Sequence, residues 1–515
     1  MNLCQVLVTI ILQMVILVLY STVVDFDIGG TGYQALYPQL MDLNVMVFIG
    51  FGFIKVFLRN HSFTSIAYSL FIAIWSMQVT ILFRGAWLAI WDKDDFTDDD
   101  GNFFVNLLSF VHASYAAATL LIAFGAVLGK VNSFQLLFMA ISGSFFYTLN
   151  QAIGLYEFEI TDVGGAVLIH LFGACFGLAC AKALSRKEWL IEPNHVAYSR
   201  HTILYAMLGT LFLFVYFPSF NGLLAILIAP ATQELVFMNT LLALIGAVVM
   251  AFVTSAILNR GKFYMEDILF ASLAGGVMIA SGSVASQQPY AALLIGNFAG
   301  ALCVIGQKYF TPFLTNKLKW HDTCGVLNVH LIPGFLGGFV GMLMLKDSES
   351  DFERIFGPDQ DDNEKNEDQV AMIFITIGIA LASGFLTGLI LRIDGIFKGP
   401  KQLEDLFHDR FHFVMTHHGA DEISVAHSDH STHADHHKYN IPMHGKQGEE
   451  LKHFIQQQID VYASRHPQQR LGGGNNVVIQ DNPHQFNNPD RAVIIPEQPG
   501  VNQPMAQKQS RPLPI

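Results

Sequence analysis

Twelve long apolar runs, separated by short polar stretches, organise the first 395 residues: about 3–24, 43–58, 63–91, 103–128, 132–156, 163–184, 202–222, 236–258, 267–284, 290–310, 323–345 and 370–391. A helix that crosses a bilayer needs about 20 mostly apolar residues. In lipid the backbone must satisfy its own N–H and C=O groups, which an open strand edge cannot do. The pattern therefore predicts an all-α polytopic membrane protein. The first run is long for a signal peptide and lacks a small-residue cleavage site, so it counts as a span.

The polar stretches alternate in charge. Lys55 and Arg59 stand at the end of the second span, Lys130 after the fourth, Arg186, Lys187 and Arg200 after the sixth, Arg260 and Lys262 after the eighth, and Lys308, Lys317 and Lys319 at or just past the end of the tenth. The intervening loops hold acids: Asp25 and Asp27, the run from Asp92 to Asp100, then Glu157 and Glu159. Short loops rich in Lys and Arg stay in the cytoplasm, which places both termini there. The acidic loops then face outward, where they are solvated and can also concentrate cations at an entrance.

Composition excludes several function classes. Of 515 residues, 52% are hydrophobic and 14% charged, against about 25% charged in a soluble domain. Mean hydropathy is +0.40. The net charge of −13 argues against a nucleic-acid partner. Cys4, Cys175, Cys180, Cys303 and Cys324 lie in or beside apolar runs at irregular spacing, which suits small buried hydrophobes better than disulfides or zinc ligands. The spans show no nucleotide loop, nucleophile motif or metal cluster, so neither an enzyme, a cofactor nor a bound metal is expected.

The chain divides into a membrane domain, 1–395, and a tail, 396–515, rich in His, Gln, Asn and Pro. Thirteen of the 20 histidines lie in the tail, among them His417, His418, His436 and His437. Such composition predicts a mostly disordered cytoplasmic segment, with a short helix or turn over 402–413 and room for a cytoplasmic partner.

One internal repeat carries the candidate chemistry. Asp162-Val-Gly-Gly165 leads to His170 and Gly177; Asp322-Thr-Cys-Gly325 leads to His330 and Gly337. Both read D-x2-G-x4-H-x6-G, and they open the sixth and eleventh spans, which point in opposite directions. That predicts a five-plus-five inverted repeat, spans 2–6 and 7–11, with the site near the midplane between the halves. Each histidine lies eight residues past its aspartate, about 12 Å along a helix from opposite faces, so the two converge in depth. An imidazole pair can share a proton and offer one donor and one acceptor to a small neutral polar molecule, or relay a proton. Asp162 and Asp322 stand where caps stand, and Asp162 can also shape a cation site electrostatically. Gly165, Gly173, Gly177, Gly325, Gly334 and Gly337 allow close helix approach.

Several strings resemble the ammonium transporter superfamily, and within it the Rhesus (Rh) glycoproteins: Tyr37-Pro38 through Val45-Met-Val-Phe-Ile-Gly-Phe-Gly52; Ala123-Phe-Gly-Ala-Val-Leu-Gly-Lys130; Asp162 to Leu178; Gly209 through Pro218-Ser-Phe-Asn221; Leu273-Ala-Gly-Gly276; and His321-Asp-Thr-Cys-Gly325 through His330-Leu-Ile-Pro-Gly334. Twelve spans also resemble the Rh branch more than the eleven-span bacterial form. The resemblance implies a homotrimer with one narrow pore per subunit, conducting ammonia and in some members carbon dioxide or methylamine. It makes His170 and His330 twin pore histidines, Phe220 the inner of two stacked phenyl gates followed by Asn221, and Asp162 the acid beside the outer recruitment site. The outer phenyl position falls on Tyr115, whose hydroxyl adds a polar handle. The tryptophan of bacterial ammonium sites is missing near Asn150, Gln151 stands where many Rh proteins have Glu, and Leu331 replaces a usual glycine. The expected function is a plasma-membrane channel that recruits ammonium, removes its proton and passes ammonia. Alternatives are proton-coupled transport, carbon dioxide conduction, or a sensor or scaffold acting through the tail, and an internal membrane is the alternative location.

Overall fold

The computed structural model describes residues 2–27, 33–91, 102–186, 198–285, 288–346, 353, 355, 362–400 and 405–414. Twelve long helical segments lie on the predicted runs among these residues: α1 Leu3–Val23, α2 Gln34–Phe57, α3 Ser62–Ile90, α4 Leu107–Val127, α5 Ser133–Glu157, α6 Ala166–Leu184, α7 Arg200–Leu227, α8 Ala231–Leu258, α9 Met265–Ile279, α10 Pro289–Leu318, α11 Leu327–Leu345 and α12 Glu364–Leu391. Eleven are long and apolar enough to cross a membrane. The exception, α9, has 15 residues and gives way to a 3-10 turn, Gly282–Val284. The α pattern stops there because Ser281-Gly282-Ser283 is poor in helix formers, and the Ser281 hydroxyl donates to Asp162 instead.

Polar caps define where helices begin. Asn106, Asn132 and Ser199 each accept a bond from a backbone N–H three residues on, and each receives the reciprocal side-chain bond of a capping box. The predicted run 103–128 is therefore split. Phe103–Val105 forms β2, paired in parallel with β1, Val24–Phe26. No strand was expected here, because apolar Phe-Phe-Val is continuous with the following helix by hydropathy alone. Asp25 accepts from Asn102 at 3.0 Å and Asp27 from Asn106 at 3.2 Å, so both acids are tied into this strand pair. The acidic run Asp92–Asp100 lies outside the described residues.

The centre of the fold is α4 and α6, which are 89% and 94% buried over their apolar windows, against 11% for α1. α6 packs along α4 and α12, α3 along α4 and α5, and α8 along α9 and α10. Close approach at α6 needs glycine: a Cβ added at Gly177 would stand 2.6 Å from the Ala123 carbonyl oxygen. α1 is peripheral. Its buried Gln5 donates through Nε2 to the carbonyls of Ile396 and Phe397, at 3.0 Å each. Four cysteines are buried and free, whereas Cys4 is exposed on α1; its apolar neighbours face outward, so a hydrophobic run there does not mean a protein core.

At the end opposite the strands, residues 405–414 pack against the helices. Asp409 caps α3, accepting from the Thr64 N–H at 2.8 Å, the Thr64 hydroxyl at 2.6 Å and the Phe63 N–H at 3.2 Å. The Phe407 N–H donates to the Gly129 carbonyl at 3.0 Å. A 3-10 turn, Asp409–Phe411, falls within the predicted 402–413. His417, His418, His436 and His437 lie outside the described residues.

The seat of this segment should respond to pH. His412 Nδ1 bonds the Tyr68 hydroxyl at 2.9 Å, and its ring lies 5.8 Å from that of buried His61. Burial pulls both imidazoles down to about 3, reinforced at His61 by His408 and at His412 by His61. The released rings regain an ordinary value near 6.5. Docking is therefore strongest above that pH and weakens as pH falls below it, by at most about 1.4 kcal/mol per unit for each ring. A nitroxide at Val414→Cys, with Cys4→Ser, should move little at pH 7.5 and become mobile by pH 5; a spectrum constant over that range overturns the assignment.

Candidate functional site

The two repeat copies fold alike. Gly165 and Gly325 take the left-handed region, with φ +73° and +67°, a conformation glycine adopts without strain. Each turn brings its aspartate back onto the helix that follows. Asp162 Oδ2 accepts from the N–H of Val167 at 3.0 Å and of Leu168 at 2.7 Å; Asp322 Oδ2 accepts from the N–H of Leu327 at 2.8 Å. Both helices then open with a π turn, Ala166–Leu171 and Leu327–Leu331. His170 and His330 sit in these turns, so they lie about one turn into their helices rather than eight residues in. The aspartates instead belong to irregular segments that precede the helices. Wide π turns re-aim a side chain and recur at functional sites.

The rings meet. His170 Nδ1 and His330 Nδ1 are 3.2 Å apart, with ring centres 5.2 Å apart and planes 17° from parallel. One Nδ1 must carry the hydrogen and the other accept it. The remaining nitrogens then differ: one Nε2 is an acceptor and the other a donor. His170 Nε2 is buried and has no hydrogen-bond partner among the described residues.

Aromatic rings close one side of the pair. Phe217 stacks on His170 at 5.9 Å, Phe220 lies 5.7 Å from it, and Tyr115 meets Phe220 edge-on at 5.0 Å. The Tyr115 hydroxyl donates to the Phe220 carbonyl at 2.8 Å. That carbonyl is free because α-helical bonding in α7 ends at Gly222. The neighbouring Asn221 points elsewhere, bonding Thr240 and the Gly276 carbonyl and so bracing α7 against α8 and α9.

Phe217 and Phe220, with the histidine pair, border a narrow cavity of about 40 Å³. It has room for roughly three water-sized molecules. His170, His330, Phe217, Phe220, Cys324 and Lys55 are among its walls. Lys55, expected at a polar loop, is instead 3% exposed, inside the fold. The signal was present, since Val56-Phe-Leu58 continues the apolar run past it. Lys130, also counted as a loop charge, is buried too, donating to the Ala126 carbonyl at 2.6 Å and to His321 Nδ1 at 3.1 Å. The Lys130 charge and burial hold His321 down at about 3, and burial brings Lys130 down to about 8. A wider hollow of about 600 Å³ beside them is lined by Glu266, Asp267, His321 and Asp322.

On the strand side, Gln151 Nε2 donates to His112 Nδ1 and contacts the Tyr147 hydroxyl, both at 3.2 Å. Arg84 donates to Tyr156 at 3.2 Å. Both amide atoms of Asn150 are buried without a partner among the described residues. The packing glycines hold the walls together. A Cβ on Gly173 would stand 2.6 Å from the Thr119 oxygen, on Gly334 2.6 Å from the Ala166 oxygen and on Gly337 2.7 Å from the Met278 oxygen.

The family model described as the Ammonium Transporter Family matches residues 1–411. The chain belongs to the ammonium transporter family. It is 31% identical over 450 residues to ammonium transporter Rh type B of Danio rerio, covering 81% of this chain and 95% of that one. It is 35% identical over 380 residues to ammonium transporter Rh type A of Bos taurus, covering 74% and 84%. Among solved structures it is similar to the Rh50 protein of Nitrosomonas europaea, of the Rhesus protein family of channels: TM-score 0.63, 27% identity, covering 84% of this chain and 98% of that one. A sensor Amt protein, 18% identical with a TM-score of 0.58, shares the fold. Membership makes ammonium transport or channel activity the function class of this multi-pass membrane protein; the family is not one of enzymes.

The aspartate caps are testable as structure. Asp162→Ala bares two N–H groups and the Ser281 hydroxyl, and should cost about 2 kcal/mol or more. Asp162→Asn keeps one acceptor and should cost less. Thermal unfolding of the purified protein should rank wild type above Asn above Ala; equal midpoints would contradict the cap.

Proposed function

We propose that this transporter conducts neutral ammonia through the His170–His330 pair. One observation carries the reading: two imidazoles from two copies of one motif face each other beside an aromatic constriction, in the wall of a narrow cavity with room for a few small molecules. A cation at such depth costs several kcal/mol. Ammonia carries no charge, donates and accepts hydrogen bonds, and suits one donor and one acceptor nitrogen. Potassium cannot shed its charge and is excluded on the same ground.

In this reading the strand side is external. Ammonium reaches it, loses its proton near Asn150, Gln151 and Asp162, and passes the Tyr115–Phe220 constriction as ammonia. It moves along the two histidines and takes up a proton in the acidic hollow on the cytoplasmic side. The like folding of the two motif copies supports a site between them near the midplane, and the homotrimer, the plasma membrane and cytoplasmic termini follow from the resemblance and the charge alternation. The short Nδ1–Nδ1 contact also favours a second reading, a proton relayed separately along the pair, which would make transport electrogenic.

Stopped-flow alkalinisation of proteoliposomes after an ammonium jump tests the first reading. Wild type should alkalinise several-fold faster than empty vesicles, and the double variant His170→Ala, His330→Ala should lose or alter that rate. Wild-type rates equal to empty vesicles would overturn ammonia conduction. A current that tracks ammonium concentration would favour the relay.

A further inference from the structure

Lys55 is a full positive charge, or its conjugate amine, buried in the wall of the candidate pathway. It lines the same cavity as His170 and His330, together with Phe51, Cys324 and Val329. Nζ donates to the Phe51 carbonyl at 2.9 Å. It also lies over the Phe51 ring, 4.9 Å from its centre, and 5.9 Å from the centre of the Phe124 ring. A carbonyl oxygen and two ring faces are the groups that stabilise an ammonium away from water. No carboxylate pairs with Lys55 among the described residues, so its charge is not cancelled by a neighbouring ion. Lysine buried in an apolar wall is costly, and its stem alone could have been replaced by any long apolar side chain.

We propose that Lys55 is a selectivity residue: its ammonium group, fixed in the wall of the His170–His330 cavity, bars cations from the pathway while leaving it open to ammonia. The inference rests on the ammonia-conducting reading above. Physically it is the device of a positive group placed in a pore to exclude protons and metal cations. Unit charges about 6 Å apart at an effective dielectric constant of about 20 repel enough to lower cation occupancy on the order of 100-fold. A neutral molecule feels no such barrier. Apolar walls and the histidine pair discourage any ion. Lys55 adds a term that acts on sign, so it rejects ammonium and potassium alike even when either enters partly hydrated.

The experiment is Lys55→Met, which keeps length and removes charge, with Lys55→Gln as a second uncharged variant. Each is reconstituted, and two quantities are read on the same vesicles: ammonia flux by alkalinisation, and cation current with ammonium or potassium as the only permeant cation. The ratio of current to ammonia flux should rise at least tenfold in both variants, for ammonium and for potassium. A structural role would lower both quantities together and leave the ratio unchanged. Variants that carry flux with current still at the level of empty vesicles overturn the proposal. So do variants that lose flux without gaining current, since Lys55 would then serve conduction itself. Wild type that already passes cation current overturns it as well. Wild type with no ammonia flux is a different failure, that of the conducting reading, and is seen in the wild-type trace alone.

Discussion

The structure depends on satisfying backbone N–H groups where a helix begins inside the fold rather than at its surface. A bare N–H is expensive where the surroundings are apolar. Asp162 and Asp322 solve the problem with carboxylates that fold back over a left-handed glycine onto the first turn of α6 and α11. Because these helices start late, their first turns lie deep. Because the first turns are π turns, each swings its histidine toward the other. The contact between His170 and His330 is thus the outcome of two helix starts, each built from four residues. Asp162 receives in addition the hydroxyl of Ser281, which fastens the end of α9 to the same point.

Much of this was legible in the sequence, and for a definite reason. Hydropathy follows the solvent, and a bilayer enforces one helix per run, so the runs fall on helices. The D-x2-G-x4-H spacing encodes a cap, a turn and an inward-facing ring in nine residues, so the histidine pair could be read. The resemblance supplied Tyr115 and Phe220, which the structure brings to within 5.0 Å of each other.

What escaped has physical causes too. Lys55 and Lys130 were read as loop charges because a lysine near the end of an apolar run usually lies in water. Here the chain continues inward, and a carbonyl four residues back receives each ammonium. The strand pair escaped because Phe-Phe-Val is apolar in either conformation and only Asn106 marks the break. Phe217, stacked on His170, lies in the resembling string 209–221 but had no role of its own there; its place follows from the course of α7. Asn221, expected from its position after Phe220, braces α7 against α8 and α9.

The bond from the Tyr115 hydroxyl to the Phe220 carbonyl bears on how the constriction moves. A phenylalanine in that position would be held by packing alone and could tilt whenever its neighbours gave way. Tyr115 is latched to the backbone beneath the ring it touches, so the two rings travel as one unit unless the latch opens. Opening it forfeits a net interaction of about 1 kcal/mol and bares two polar groups in an apolar setting. In the ammonia-conducting reading proposed above, that is an enthalpic barrier in series with the passage of each molecule. Rates through the constriction would then climb more steeply with warming than packing fluctuations alone would give, and the protein would be a tighter seal in the cold.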